Sequence, residues 1–246
     1  MSRVLRVPLE DLMPGARQLG GAVARYILRV HRRSVGDRLA CFDPERGLEA
    51  DAEILRASGD SLDCVFDNVR PSGYRAYPIC LLQGLAKGTK PEATLAEATA
   101  LGVESIIFVD SERAVVRLEA ERGATRRERW RRIAIEAARQ SGRGNVPSIE
   151  GPVPFETALE QLTAPRRLLL SPTGAPLLRL LGDWQAEQRV ALLVGPEGGF
   201  ARGEIERTAL LGFVEASLGR TTLRSELAGI AALGALVAFG ALSGIG

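Results

Sequence analysis

The chain has 246 residues, 46% hydrophobic and 25% charged, with a formal net charge of +2. That composition supplies a core and argues against disorder, and the charge is too small to mark nucleic-acid binding by itself. Cys41, Cys64 and Cys80 are odd in number and lack a C-x-x-C pair, and His31 is the single histidine. A disulfide framework, a zinc site and a multi-histidine metal centre are therefore not expected, which fits a reducing cytoplasm. Of 32 basic residues only Lys87 and Lys90 are lysine. Arginine suits bidentate phosphate contacts and base stacking, although codon bias in a GC-rich genome explains the excess as well. Residues 1–20 carry charges, Pro8 and Pro14, so no signal peptide is expected.

Residues 1–70 carry short strand signals at Val4–Val7, Arg38–Phe42, Glu49–Leu55 and Ser61–Val65. Turns fall at Gly36-Asp37, Pro44–Gly47 and Gly59-Asp60, and a short helix lies near Gly21–Val30. The pattern predicts a small β-barrel over 1–71, with Val69–Gly73 as linker into a second domain over 74–246. In that domain strands and helices alternate. Strands are expected at Ile79–Leu82, Ser105–Val109, Arg167–Leu170, Val190–Val194 and Val214–Ser217. Helices are expected at Pro91–Leu101, Arg126–Gln140, Phe155–Leu162, Gly203–Leu211 and Ser225–Leu242. The result is a mostly parallel sheet covered on both faces. Leu227–Gly246 has no charge and is long enough to span a bilayer, yet it is dominated by Ala and Gly. It reads as a buried helix whose small residues Ala228, Ala231, Ala232 and Ala235 admit a neighbouring helix, so no membrane span is expected.

The most informative stretch is Leu192-Leu193-Val194-Gly195-Pro196-Glu197-Gly198-Gly199-Phe200. An apolar strand ends at Gly195, Pro196 fixes the next φ, and Gly198 and Gly199 admit close approach of a ligand. Neither G-x-G-x-x-G nor G-x-x-x-x-G-K-[ST] is present, which argues against a triphosphate. Leu169–Gly174 and Ser217–Arg224 follow two further predicted strands, and three such loops on one sheet edge form a ligand crevice.

The ordered motifs resemble the RsmE family of bacterial 16S rRNA (uracil-N3)-methyltransferases, in the SPOUT superfamily. The matching pieces are Val30–Asp37, Ala98–Val103, Ser111-Glu112-Arg113, Arg129–Arg143 with Val146-Pro147, Gly195–Phe200, and Leu218-Gly219 with Leu223-Arg224 and Glu226. The chain departs from the family pattern at Tyr26, Glu97, Ala100, Ala114, Thr221-Thr222 and Leu227. The resemblance implies a PUA-like barrel for RNA, then an α/β domain with a trefoil knot. It also implies a homodimer, a small ribosomal subunit RNA substrate, no metal, and S-adenosylmethionine as methyl donor.

The implied donor site takes Leu170 and Ser171 from the first loop, and Val194, Gly195, Pro196, Gly198 and Gly199 from the second. Ser217, Leu218, Gly219 and Leu223 come from the third. Uridine N3 must lose its proton before it attacks a methyl group, so Glu226 and Glu197 are candidate bases. Arg224 is the candidate to steady the uracil anion or a phosphate. Glu197 as a loop cap, and Arg224 with Glu226 as a structural ion pair, are the simpler readings of those residues. Arg32, Arg33, Arg38, Arg113, Arg139 and Arg143 are candidate RNA contacts. A non-catalytic RNA-binding protein of the same fold, motivated by Ala100, Thr221 and Leu227, is the competing reading, as is a methyltransferase acting on another RNA.

Overall fold

The computed structural model describes residues 4–114, 123–182, 184–185 and 187–242. The chain forms two units, one of Met1–Tyr74 with Ala138–Val146, the other of Arg75–Ala137 with Pro147–Gly246.

The first unit holds β1 (Leu5–Pro8), β2 (Gly15–Gly20), α1 (Gly21–Arg25) continued by a π-helical turn (Tyr26–Val30), β3 (Arg38–Asp43), β4 (Leu48–Ser58) and β5 (Ser61–Pro71). These make one sheet in the order β1-β3-β4-β5-β2. β1 runs parallel to β3 and the other pairs are antiparallel. Alternation along β4 and β5 sends Ala50, Ala52, Ile54, Leu62, Cys64 and Phe66 into the core. Burial pushes the Cys41 thiol up to about 12 and the Cys64 thiol to about 11, so both act as small apolar groups.

Two expectations change here. β5 runs through Val69–Pro71, where a linker was expected, because Leu48 and Glu49 pair with Pro71 and Arg70. β2 carries no apolar alternation and forms through pairing with β5.

Asp43 is 1% exposed at the end of β3. One carboxylate oxygen accepts the backbone N–H of Asp11 at 2.9 Å, and the other accepts those of Glu45 and Arg46 at 3.0 Å. This carboxylate satisfies donors of the β3–β4 turn that would otherwise be stranded.

The second unit contains β6 (Tyr77–Gly84), α2 (Lys90–Leu101), β7 (Val103–Asp110), α3 (Gly123–Ser141), β8 (Ser148–Pro154), α4 (Phe155–Glu160), β9 (Arg166–Pro176), α5 (Leu177–Leu180), β10 (Val190–Val194), α6 (Arg202–Leu210), β11 (Val214–Ser217) and α7 (Ser225–Leu242). The last residues of α3 group with the first unit. The sheet order is β11-β9-β10-β6-β7-β8, and every pair is parallel. Parallel strands are covered on both faces, which is why Val190–Val194 is apolar throughout and fully buried. One face packs Leu82, Ile107, Val109 and Leu193 against Phe155, Leu159, Phe200 and Phe213. On the other, Phe108 meets Trp130 of α3 at 4.3 Å between ring centroids, and α7 packs on β6, β10 and α2. β8 was not expected, since Gly151, Pro152 and Pro154 break its strand signal; as an edge strand it tolerates them. Among the described residues no helix is long and apolar enough to cross a membrane.

Replacing Asp43 with alanine is expected to lower the unfolding free energy by about 3 kcal/mol, measured by urea denaturation. Asp43→Asn keeps an acceptor oxygen and should lose roughly half as much. Equal losses in the two variants would show that the hydrogen bonds are not the cause.

Candidate functional site

β6 and β10 are neighbours in register, with Val194 opposite Gln83. The next step brings Gly195 and Pro196 against Gly84, where an added Cβ would lie 2.4 Å from the Pro196 nitrogen. Only glycine fits, because the obstacle is backbone. Likewise a Cβ on Gly174 would lie 2.6 Å from the Ala216 nitrogen, which seats the β9 excursion on β11. β11 pairs with Leu168 and Leu169, then resumes at Ala175 and Pro176, so Leu170–Gly174 forms a bulge of β9 against β11.

A cavity of about 340 Å³ opens at these strand ends. Leu170, Ser171 and Pro172 line it from within β9, and Val194–Glu197 with Gly199 line it from the end of β10 and the loop beyond. Ala216, Leu218, Gly219, Thr221–Ser225 and Ala228 complete it. Positive φ at Gly199 (+66°) and Gly219 (+130°) lets two of the loops turn there.

The rim carries the charge. Lys90 Nζ lies 2.8 Å from Glu197 Oε1 and 3.4 Å from Glu226 Oε1. The hydrogen bond from Lys90 holds the Glu197 carboxyl below the usual carboxylate range, and Glu197 in turn raises Lys90. Glu226 Oε2 is buried and has no hydrogen-bond partner among the described residues. Arg224 is exposed and lines the cavity. Nearby, Arg113 Nη1 donates to the Gly198 carbonyl at 3.3 Å. Glu204 Oε2 accepts the Ala201 N–H at 2.8 Å and its Oε1 accepts the Glu112 N–H at 2.9 Å, tying the loop after β7 to the start of α6.

The structure thus gathers most of the expected donor-site residues around one cavity, with two exceptions. Gly198 and Ser217 do not line it: Gly198 faces Arg113, and Ser217 pairs with Pro176 in the sheet. Pro172, Ala216, Thr221, Thr222, Ser225 and Ala228 also line it and were not among the expected donor-site residues. The Arg224–Glu226 ion pair, the simpler of the two readings of those residues, is not found among the described residues. Arg224 precedes α7 and lies exposed, and Glu226 pairs with Lys90 instead.

In the first unit Arg32 and Arg38 are exposed and Arg33 and Arg139 half-buried. Arg32 has φ +51°, a left-handed conformation that non-glycine residues adopt chiefly under constraint. Arg139 lies 5.7 Å over the Tyr26 ring. Arg143 corrects the sequence reading, because at 1% exposure it has no free guanidinium to offer RNA. Its Nε donates to Asn145 Oδ1 at 2.9 Å and it stacks on Tyr74, and burial lowers its pKa. No group of three or more His, Cys, Asp or Glu suited to a metal occurs among the described residues.

A parallel α/β unit with a glycine-built cavity on its carboxyl edge, in one chain with a small five-stranded unit, defines a class of two-part ligand-binding proteins. Family models resolve the class: residues 74–237 match an RNA methyltransferase domain and residues 19–67 an RNA methyltransferase PUA domain. The chain belongs to this RNA methyltransferase family. It is 29% identical over 224 residues to the Ribosomal RNA small subunit methyltransferase E of Bacillus subtilis, covering 88% of this chain and 87% of that one. A Legionella pneumophila methyltransferase in complex with bound S-adenosylmethionine superposes with TM-score 0.86 at 30% identity, covering 96% of this chain and 98% of that one. A small subunit methyltransferase E from Neisseria gonorrhoeae bound to S-adenosylmethionine superposes with TM-score 0.83 at 28% identity, covering 96% and 98%.

Because Glu197 is depressed, its contribution to stability is present above the ordinary carboxylate pKa and is lost in acid, as pH falls through its folded value. The raised Lys90 makes the opposite contribution, lost as pH rises past its own folded value above 10.5. In Lys90→Met the Glu197 carboxyl should titrate at a higher pH than in the parent, read by carbon-13 NMR. An unmoved titration would refute the clamp.

Proposed function

We propose that the chain transfers a methyl group from S-adenosylmethionine to N3 of a uridine in small-subunit ribosomal RNA. The observation that carries this reading is the cavity itself, in which three loops at parallel strand ends meet around a glycine-built floor. The lining fits that donor chemically. Leu170, Val194, Leu218 and Leu223 offer apolar surface for a purine, and the Glu197 carboxylate suits a cation that carries no phosphate. When bound, the donor supplies an electrophilic methyl group on a sulfonium.

The remaining work belongs to the chain. Uridine N3 is protonated at neutral pH and must lose that proton. We assign Glu226 as the base, through its unpartnered Oε2. Glu197 is the weaker candidate, because the hydrogen bond from Lys90 lowers its affinity for a proton. Arg224, exposed at the cavity mouth, is assigned to the negative charge that develops on the uracil carbonyls. Arg32, Arg33, Arg38, Arg113 and Arg139 are assigned to RNA phosphates. The reading carries with it the trefoil knot and the homodimer that family membership implies, and a cytoplasmic setting.

The deciding experiment is methyl transfer from labelled donor to small ribosomal subunits from a strain lacking this gene, with the product nucleoside identified by mass spectrometry. 3-Methyluridine is the expected product. Binding of the donor without transfer would favour the non-catalytic reading or another RNA. Arg224→Ala should lower kcat by about 10²-fold with donor affinity unchanged; full turnover in that variant would remove Arg224 from the mechanism. RNA binding should weaken steeply between about 50 and 200 mM salt, and a flat response would exclude phosphate contacts.

A further inference from the structure

Gln83 is 2% exposed at the end of β6, and the proposed chemistry gives it no task. Its Nε2 donates to Ser225 Oγ at 2.8 Å and more weakly to the Gly84 carbonyl at 3.4 Å. Ser225 Oγ in turn donates to the Gly195 carbonyl oxygen. The direction of this chain is set by chemistry. A hydroxyl whose single proton goes to Gly195 can only accept from Gln83, so the amide must present its NH₂. Its Oε1 is left buried without a partner, over Gly229, where an added Cβ would lie 2.7 Å away. An unmet buried acceptor is unfavourable, and an apolar side chain of the same shape would avoid it. The arrangement therefore points to a task other than stability.

We propose that Gln83 is a positioning residue for the methyl-donor loop. Acting through Ser225, it fixes the orientation of the Gly195–Pro196 peptide. Gly84 blocks that peptide from one side, and Pro196 has no N–H with which to anchor itself. The carbonyl is thus the handle by which the peptide is turned, and the Gly199 N–H bond to the Pro196 carbonyl, at 2.9 Å, closes the loop beyond it. The inference rests on the reading that this cavity holds the donor, but its geometry exists without donor.

The test uses Gln83→Met, which keeps the shape and removes the amide. The melting temperature should be unchanged or raised, while the calorimetric Kd for S-adenosylmethionine rises by about tenfold. KM for RNA should not move. Ser225→Ala should weaken donor binding similarly and Ser225→Thr should restore it. Gln83→Met added to Ser225→Ala should cost nothing further, because both act through one chain of bonds. A lowered melting temperature with parental donor affinity, or additive effects in the double variant, would overturn the proposal. Hydrogen exchange at the Gly199 amide, measured without donor, separates this inference from the functional reading. Faster exchange in Gln83→Met supports the relay whatever the cavity binds, and unchanged protection refutes it. If the parent binds no S-adenosylmethionine, the functional reading fails and the exchange result still decides the relay.

Discussion

Two backbones touch at the carboxyl edge of the parallel sheet, and the site is arranged around that contact. β6 and β10 run in register until Gly84 meets the Gly195–Pro196 peptide, at a distance that excludes a methyl group. The approach forces β10 to end and turn in place, since continuing the ladder would require Pro196 to donate a hydrogen bond it does not have. From that forced turn the chain reaches Glu197 toward α2, exposes Gly199 to the cavity, and sends its carbonyl to Ser225 at the start of α7.

Much of this was legible in the sequence because it is local. Val190–Val194 announces a strand covered on both faces, and Gly195-Pro196-Glu197-Gly198-Gly199 announces a loop that needs freedom and one fixed φ. The uncharged run from Leu227 needed only an alternative to the membrane, and α7 provides it by packing against α2, β6 and β10. The illegible parts depend on partners far away in the chain. Lys90 is separated from Glu197 by 107 positions, and Gln83 from Ser225 by 142. β2 and β8 are strands by virtue of their neighbours, and their own residues argue against it. Arg143 misled for a related reason: an arginine between two glycines looks like solvated charge until Tyr74 and Asn145 are seen to enclose it.

The site keeps its charge off its floor. The cavity walls are backbone, apolar side chains and the hydroxyls of Ser171, Thr221, Thr222 and Ser225, while Glu197, Glu226, Lys90 and Arg224 stand at or beside the rim. Such a division suits a cationic ligand whose bulk is aromatic and uncharged, and it leaves the fixed charges free to act on a second, anionic molecule. The three-residue cluster of Lys90, Glu197 and Glu226 also connects α2, the loop after β10 and the first turn of α7, the elements that frame the opening.

The near-exclusive use of arginine gives that rim an unusual chemical signature. Lys87 and Lys90 are the only side-chain amines in 246 residues; Lys87 lies on the short segment between β6 and α2, and Lys90 is the first residue of α2. Arginine does not acylate under conditions that modify lysine, so any amine-directed reagent, or any enzyme that acetylates lysine, can act on side chains of this protein nowhere but beside its cavity. Acylation of Lys90 would remove the one cation that Glu197 and Glu226 share.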